Sequence, residues 1–172
     1  MRKRVGAAVL PAGVCVALLP LMPAHAQGED PCEQEPLIHQ QRDEATIQRL
    51  EASWNVAISR GDSSFEGCLL TADFVEILAT GELKTRVDEL ASTAKNKGRK
   101  QPTPDPPPIT IWIHGNVAVA RAIWKPADPT RKPAQIADCF VWENGFWHVF
   151  FSQLTPVEDN DRGRFLRGWL PL

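Results

Sequence analysis

The sequence contains no tyrosine and only four histidines. Without tyrosine, no phenol can act as an acid or donate a hydrogen bond in a site. The histidines that follow the apolar N-terminal run, His39, His114 and His148, show no metal-ligand spacing with one another or with the cysteines. No serine or cysteine stands beside a plausible histidine partner, as nucleophilic catalysis requires. The sequence therefore predicts neither a metal site nor a cofactor.

The chain also lacks an excess of positive charge. It has 19 lysines and arginines against 21 aspartates and glutamates, which gives a formal net charge of −2. Proteins that bind nucleic acid or an anionic membrane surface usually carry a basic patch. We therefore predict no nucleic-acid partner and no membrane partner.

The N-terminus has the pattern of a secretory signal peptide. Residues 2–4 are basic, residues 5–21 are apolar, and Ala24-His-Ala26 is a small-residue cleavage site. The apolar run is too short and too often interrupted by proline to span a membrane as a helix. We expect residues 1–26 to be removed on export. A polar leader (27–39), one domain (40–157) and a C-terminal tail (158–172) follow, since this length suits a single domain.

Three cysteines remain after the signal peptide, which allows one internal disulfide and one spare thiol. Cys32 precedes the first predicted helix and lies in a segment without a packing pattern. It can reach Cys68 and tie the N-terminus to the second helix, so we predict a Cys32–Cys68 disulfide. Cys139 is interpreted as a small apolar residue inside a strand.

Hydrophobic periodicity predicts three helices in the first half of the chain. Apolar residues at helical spacing place the first helix at about residues 37–60, and Gly61 ends it. Asp62 caps a second, shorter helix. Thr85 caps a third helix that fades by residue 95. A strand at residues 74–78 lies between the second and third helices.

The second half of the chain predicts two hairpins. A proline-rich loop at residues 97–108 cannot be regular structure. Strands follow at residues 109–114 and 117–124, joined at Gly115-Asn116, and residues 136–157 fold back on themselves at Asn144-Gly145. Helices segregated to one face of a mostly antiparallel sheet define an α+β domain.

The closing hairpin predicts a candidate site. With Asn144-Gly145 as the turn, Asp138 faces Phe151 across the two strands, and Ile136 faces Gln153. Alternation then places one carboxylate and one amide on an otherwise apolar strand face. That face is either the wall of an apolar pocket with a few polar groups, or part of the hydrophobic core with Asp138 at a solvent-exposed strand end. Its members are Asp138, Phe140, Trp142, Trp147, Val149, Phe151 and Gln153.

Several short motifs occur in an order and spacing that resemble a known superfamily. They are Trp54-x-x-Ala57, Gly61-Asp62, Asp73-Phe74, Gly81, Gly115-Asn116-x-Ala118, and Trp147 followed by Gln153-Leu-Thr-Pro156. Over about residues 40–157 the chain resembles the nuclear-transport-factor-2-like superfamily, and within it the SnoaL-like and ketosteroid-isomerase-related domains of bacteria. The resemblance implies a cone-shaped, bent sheet wrapped around the long first helix, with an internal cavity. It also implies that Asp138, Phe151 and Gln153 turn inward toward Trp54.

A ketosteroid-type isomerase needs a carboxylate base and an acidic hydrogen-bond donor for the enolate oxygen. Asp138 is the candidate base, because it lies on an apolar strand face where burial raises the pKa of a carboxyl group. The tyrosine donor is absent, so only a protonated carboxyl, a tryptophan N–H or Gln153 can replace it. Glu76, between apolar neighbours in its strand, is either a second site residue or an outward-facing one. The predicted ligand-binding residues are Trp54, Glu76, Phe140, Phe151 and Gln153.

These observations favour an exported, periplasmic or secreted bacterial domain that binds a small apolar molecule without a complete catalytic set. Two alternatives stay open. The first is an isomerase or lyase of the ketosteroid-isomerase or polyketide-cyclase type, with Asp138 as general base. The second is a protein-interaction module.

The outer face of the sheet predicts a contact surface. Val141 and Phe150 point away from the predicted pocket face, and both faces of the strand at residues 117–124 are apolar. The helices can cover only one side of the sheet. Either the apolar end of the tail or a second subunit must cover the other side, and we expect a homodimer.

Overall fold

The computed structural model describes residues 30–99, 106–125 and 132–157. The predicted signal peptide and C-terminal tail lie outside these residues. Three helices occur in the described part of the chain: α1 (Glu44–Arg60), α2 (Ser63–Leu69) and α3 (Arg86–Ala94). No helix among the described residues combines the length and the apolar character needed to cross a membrane.

Six strands form one open, mixed sheet beside the helices. They are β1 (Leu70–Ile77), β2 (Leu83–Thr85), β3 (Ile109–His114), β4 (Val117–Trp124), β5 (Ala134–Glu143) and β6 (Phe146–Pro156). The order across the sheet is β2-β1-β6-β5-β4-β3. All neighbours are antiparallel except β1 and β6, which are parallel. The predicted α+β class is confirmed.

Polar side chains at helix ends explain where the helices begin and end. Asp43 accepts a hydrogen bond from the Thr46 amide at 2.8 Å and caps α1, so this helix begins later than the predicted residue 37. Asp62 accepts from the Phe65 amide at 3.0 Å and caps α2. Thr85 and Asp88 form a reciprocal capping box at the start of α3.

The segment before α1 is tied to the sheet, although its sequence shows no packing pattern. Leu37 is buried in the core. The Gln40 side-chain oxygen accepts from the Trp147 amide at 2.7 Å, and the Gln41 carbonyl accepts from Trp147 Nε1 at 3.0 Å. These contacts fix the approach of α1 to the end of β6 nearest the hairpin turn.

The register of the closing hairpin was predicted correctly only near its turn. Trp142 pairs with Trp147, and Phe140 pairs with Val149, as expected. Beyond them Cys139 pairs with Phe151 and Asp138 pairs with Ser152, so Phe150 is an extra residue in β6. A β-bulge of this kind shifts the register by one residue and moves the following side chains to opposite faces. The predicted pairs Asp138–Phe151 and Ile136–Gln153 are therefore wrong.

A disulfide joins Cys32 to Cys68, with the two Cα atoms 5.3 Å apart, while Cys139 is a free, half-buried thiol. The bridge links the segment before α1 to α2. A covalent closure of this loop restricts the unfolded chain. We expect Cys32→Ser to lower the free energy of unfolding by at least about 2 kcal/mol.

Non-reducing peptide mass spectrometry of the purified protein checks the bridge directly. The measurement should find a Cys32–Cys68 cross-linked peptide, and Cys139→Ser should not change it. Absence of that peptide, or equal stability of the wild type and Cys32→Ser in urea, would contradict the prediction.

Candidate functional site

A cavity of about 280 Å³ lies between α1 and the β3–β5 side of the sheet. One wall is α1, the opposite wall is formed by inward-facing residues of β3, β4 and β5, and a proline triplet borders it. Most of the lining groups are apolar and a few are polar, which is the usual composition of a small-molecule site. The lining residues are Gln48, Glu51, Ala52, Asn55, Pro106, Pro107, Pro108, Ile109, Ala122, Trp124, Ile136 and Asp138.

The α1 wall is a polar flank beside the buried stripe of the helix. Gln48, Glu51, Ala52 and Asn55 occur at helical spacing i, i+3, i+4 and i+7, so they share one face. The apolar stripe that includes Leu50 is turned toward the core. The apolar face of α1 therefore packs in the core, and its adjacent polar face lines the cavity.

Two carboxyl groups meet at this cavity. Asp138 is only 5% exposed, and its pKa is raised to about 7, above all by burial. Ser152, which pairs with it across the hairpin, opposes this shift. Burial and the neighbouring Asp138 raise the pKa of Glu51 as well, well above the usual glutamate range. The pair therefore holds at least one proton near neutral pH, and Glu51 can donate it to Asp138.

Both carboxyl groups retain an unsatisfied oxygen. Oε1 of Glu51 and Oδ1 of Asp138 are shielded from solvent and have no hydrogen-bond donor among the described residues. A shielded acceptor without a partner costs about 1–3 kcal/mol. A proton shared between the two groups, or a donor on a bound molecule, would satisfy these oxygens.

The other predicted site residues lie elsewhere. Trp54 is buried on the core side of α1, where its Nε1 donates to Glu66 at 2.8 Å and its ring meets the edge of Phe74. Phe140 is fully buried in the core. Phe151 and Gln153 occupy the sheet face opposite Asp138, because the bulge at Phe150 turns them outward, and Gln153 is exposed. The prediction that these residues border one cavity with Asp138 is wrong in its geometry.

Glu76 belongs to a second polar cluster, which lies apart from the cavity. Its Oε2 is 3.2 Å from Lys84 Nζ, and Lys84 also contacts Glu89. Burial raises the pKa of Glu76, Glu89 adds to this effect, and Lys84 opposes it. Glu76 is thus neither outward-facing nor a cavity residue, although its charge contributes to the raised pKa of Asp138.

Glu51 was missed by the sequence analysis. A charged residue between the apolar positions of an amphipathic helix is typical of a solvated face. A signal was present, since Gln48, Glu51, Ala52 and Asn55 repeat at helical spacing. Nothing local distinguishes such a stripe from an exposed one, because only the position of the sheet decides what it faces.

The comparisons with known proteins concern the fold. No protein-family model matches the sequence, and no curated protein matches it. Among solved structures, an NTF2-like protein from Cytophaga hutchinsonii is similar at a TM-score of 0.57 and 18% identity, over 68% of this chain and 100% of that one. An NTF2-like protein of unknown function from Silicibacter pomeroyi is similar at a TM-score of 0.54 and 16% identity, over 66% of this chain and 94% of that one. An NTF2-like protein with a cystatin-like fold from Novosphingobium aromaticivorans is similar at a TM-score of 0.51 and 16% identity, over 72% of this chain and 87% of that one.

These likenesses agree with the helix and strand order described above. The chain has the nuclear-transport-factor-2-like fold, also called cystatin-like, as the sequence motifs predicted. At such low identity the likeness extends to the fold alone, and one fold carries many functions. The narrower SnoaL-like assignment stays a prediction.

Proposed function

We propose that this chain is an exported domain that binds a small, largely apolar molecule in the cavity between α1 and β3–β5. The observation that carries the proposal is the composition of this cavity. Apolar side chains and prolines form most of the wall, while buried Asp138, half-buried Glu51 and two amides supply its polar groups. Apolar walls provide affinity, and a few polar groups fix the orientation of the ligand.

A cavity-filling substitution tests the binding function. Ala52→Phe places a ring in the cavity and is expected to abolish binding of a panel of cyclic ketones, alcohols and amines, followed by ligand-observed NMR. Ala91→Phe, at an exposed position of α3, is the matched control and should bind as the wild type does. Equal binding by both variants, or no binding of the panel to the wild type, would contradict the proposal.

A second candidate function is proton transfer at carbon, as in an isomerase or lyase. Asp138 lines the cavity, and its pKa of about 7 suits a general base that works near neutral pH. Protonated Glu51 would then be the acidic donor in place of the missing tyrosine. The base takes a proton from the carbon next to a carbonyl group, and the donor stabilises the enolate oxygen.

Deuterium exchange tests this second function. If Asp138 is a base, bound cyclic ketones should exchange their α-protons in D2O faster than free ketones, and Asp138→Asn should remove the acceleration. Glu66→Gln, which changes a buried carboxyl group outside the cavity, should retain it. Unchanged exchange in Asp138→Asn rules out Asp138 as the base.

We also propose that the outer sheet face is a homodimer contact. Trp112, Val117 and Phe150 are 42%, 43% and 36% exposed on this face. The pairs Trp112–Val119 and Cys139–Phe151 extend it across β3–β6. An apolar patch of this kind on a protein surface usually marks an interface.

Light scattering of the purified protein checks the oligomeric state. A dimer is expected, and Phe150→Lys should shift it toward monomer. Val87→Lys changes an equally apolar and more exposed residue of α3 and should leave the dimer intact. A monomeric wild type at micromolar concentration would end the dimer hypothesis.

A further inference from the structure

Several hydrogen-bond acceptors border the cavity, and two of them have no donor. Pro106, Pro107 and Pro108 border the cavity and have no backbone N–H to donate. The amide nitrogen of Asn55 already donates one of its two hydrogens to the Glu51 carbonyl at 2.9 Å, and its Oδ1 is an acceptor. The two carboxyl groups add further acceptors, and two of their oxygens have no donor. A ligand that matches this wall must bring donors.

The ionisable groups among the described lining residues have one sign of charge. Both ionisable groups among the lining residues are acids, and no lysine, arginine or histidine of the described chain lines the cavity. No described residue is a positive partner of ionised Asp138, since Lys84 pairs with Glu76 and Glu89 in the second cluster. A buried negative charge without a partner is costly. A ligand with one positive charge would compensate it.

We propose that the cavity binds an organic monocation, in which a primary ammonium group on a compact apolar body lies against Glu51 and Asp138. An ammonium group has three donors and no acceptor, so it can donate to both carboxyl groups. The apolar body lies against the prolines, Ile109 and Ile136. The indole of Trp124, also in the wall, provides an aromatic surface that favours cations.

This inference rests on the proposed binding function and gives its ligand a chemical class. A monocation should bind more tightly as the pH rises. A neutral ligand with a carbonyl group should bind less tightly, because it would accept a hydrogen bond from a protonated carboxyl group. The groups that act on Asp138 are Glu51 from α1, Glu76 from β1 and Ser152 from β6, and of these only the carboxyl groups titrate. Cys139, the neighbour of Asp138 along β5, has a pKa that burial raises above the ordinary thiol value.

Calorimetric titration with benzylamine and cyclohexylamine, each matched by its alcohol, tests the proposal. The amines should bind at least about tenfold more tightly than the alcohols. Their affinity should rise from about pH 5.5 to about pH 8, as ionised Asp138 becomes available. Titration at about pH 6 in buffers of different ionisation enthalpy should show close to one proton released for each amine bound.

Two variants locate the effect. Asp138→Asn should weaken amine binding by about tenfold or more and abolish proton release, while alcohol binding changes little. Asp138→Ser gives a second measurement, with the same expected loss, if Asp138→Asn does not fold. Glu66→Gln removes a buried carboxyl group outside the cavity and should leave amine binding unchanged.

The outcomes separate this proposal from the binding function itself. Alcohols or ketones that bind as tightly as the amines, with affinity that falls as the pH rises, would overturn the monocation and leave a neutral-ligand pocket. If neither amines nor neutral compounds bind at millimolar concentration, both proposals fail. Amine binding that Ala52→Phe and Asp138→Asn do not change would place the amines elsewhere and overturn the proposal as well.

Discussion

Asp138→Asn is expected to make the protein more stable than the wild type at about pH 8, because it replaces a buried ionisable carboxyl group with a neutral amide. The folded-state pKa of Asp138 is raised to about 7, whereas the ordinary value is 3.8. A group with a raised folded pKa contributes fully to stability below its unfolded pKa, and this contribution is lost as the pH rises through the folded pKa. Between about pH 4 and pH 8 the wild type should lose on the order of 4 kcal/mol through this group.

Urea denaturation across this pH range measures the effect. The wild type should become steadily less stable as the pH rises, and Asp138→Asn should show a much shallower decline, because asparagine does not ionise and its amide can donate to Glu51. Asp88→Asn is a suitable control, since Asp88 is an exposed capping residue whose Thr85 hydrogen bonds lower its pKa. Parallel pH profiles for wild type and Asp138→Asn would show that Asp138 is not buried as described.

Gly61→Ala is expected to lower the free energy of unfolding by roughly 2 to 5 kcal/mol. Gly61 ends α1 in the left-handed region, at φ 74°, where a side chain is strained. A Cβ atom at this position would also lie 2.2 Å from the Lys97 amide nitrogen and 2.6 Å from its Cα. The segment after α3 would have to move away, and the hydrogen bond from the Asn96 side chain to the Ile58 carbonyl, 2.9 Å long, would be disturbed.

Gly81→Ala is the matched control, because Gly81 also has a positive φ of 85° but no atom lies within 4 Å of its missing Cβ. At Gly81 only the strain of a positive φ applies, which should lower the free energy of unfolding by about 1 kcal/mol. Thermal and urea unfolding of the two variants compare the two costs. An equal loss of stability would mean that the approach of residues 96–97 to α1 is looser than described.

Local signals in the sequence predicted most of the secondary structure. Asp62, Thr85 and Gly61 begin or end helices through interactions within a few residues, and strands β3 and β4 were predicted with their bounds. The Asn144-Gly145 turn was also recognised, because both residues adopt the positive φ that such a turn requires. These features depend on residues close in sequence, which a single chain displays directly.

The candidate site was predicted only in part, since its geometry depends on distant contacts. The bulge at Phe150 has no signature in the sequence. Because of it, Ser152 lies beside Asp138, where Phe151 was expected. Strand β2 has only three residues and pairs with β1 across a turn, so its pattern is too short to recognise. Asp138 lines the cavity, but its partner Glu51 comes from α1, whose orientation only the assembled sheet defines.

The parallel pairing of β1 with β6 has a consequence for how the chain folds. Strands β3 to β6 follow one another and pair with their neighbours in sequence, so their contacts are local and should form early. The β1–β6 contact must close a long loop and should form late. The cavity has one wall from α1, in the first half, and the other from the strands of the second half. It is therefore completed only when the two halves dock, and a ligand that binds there would favour the docked state over a half-folded one.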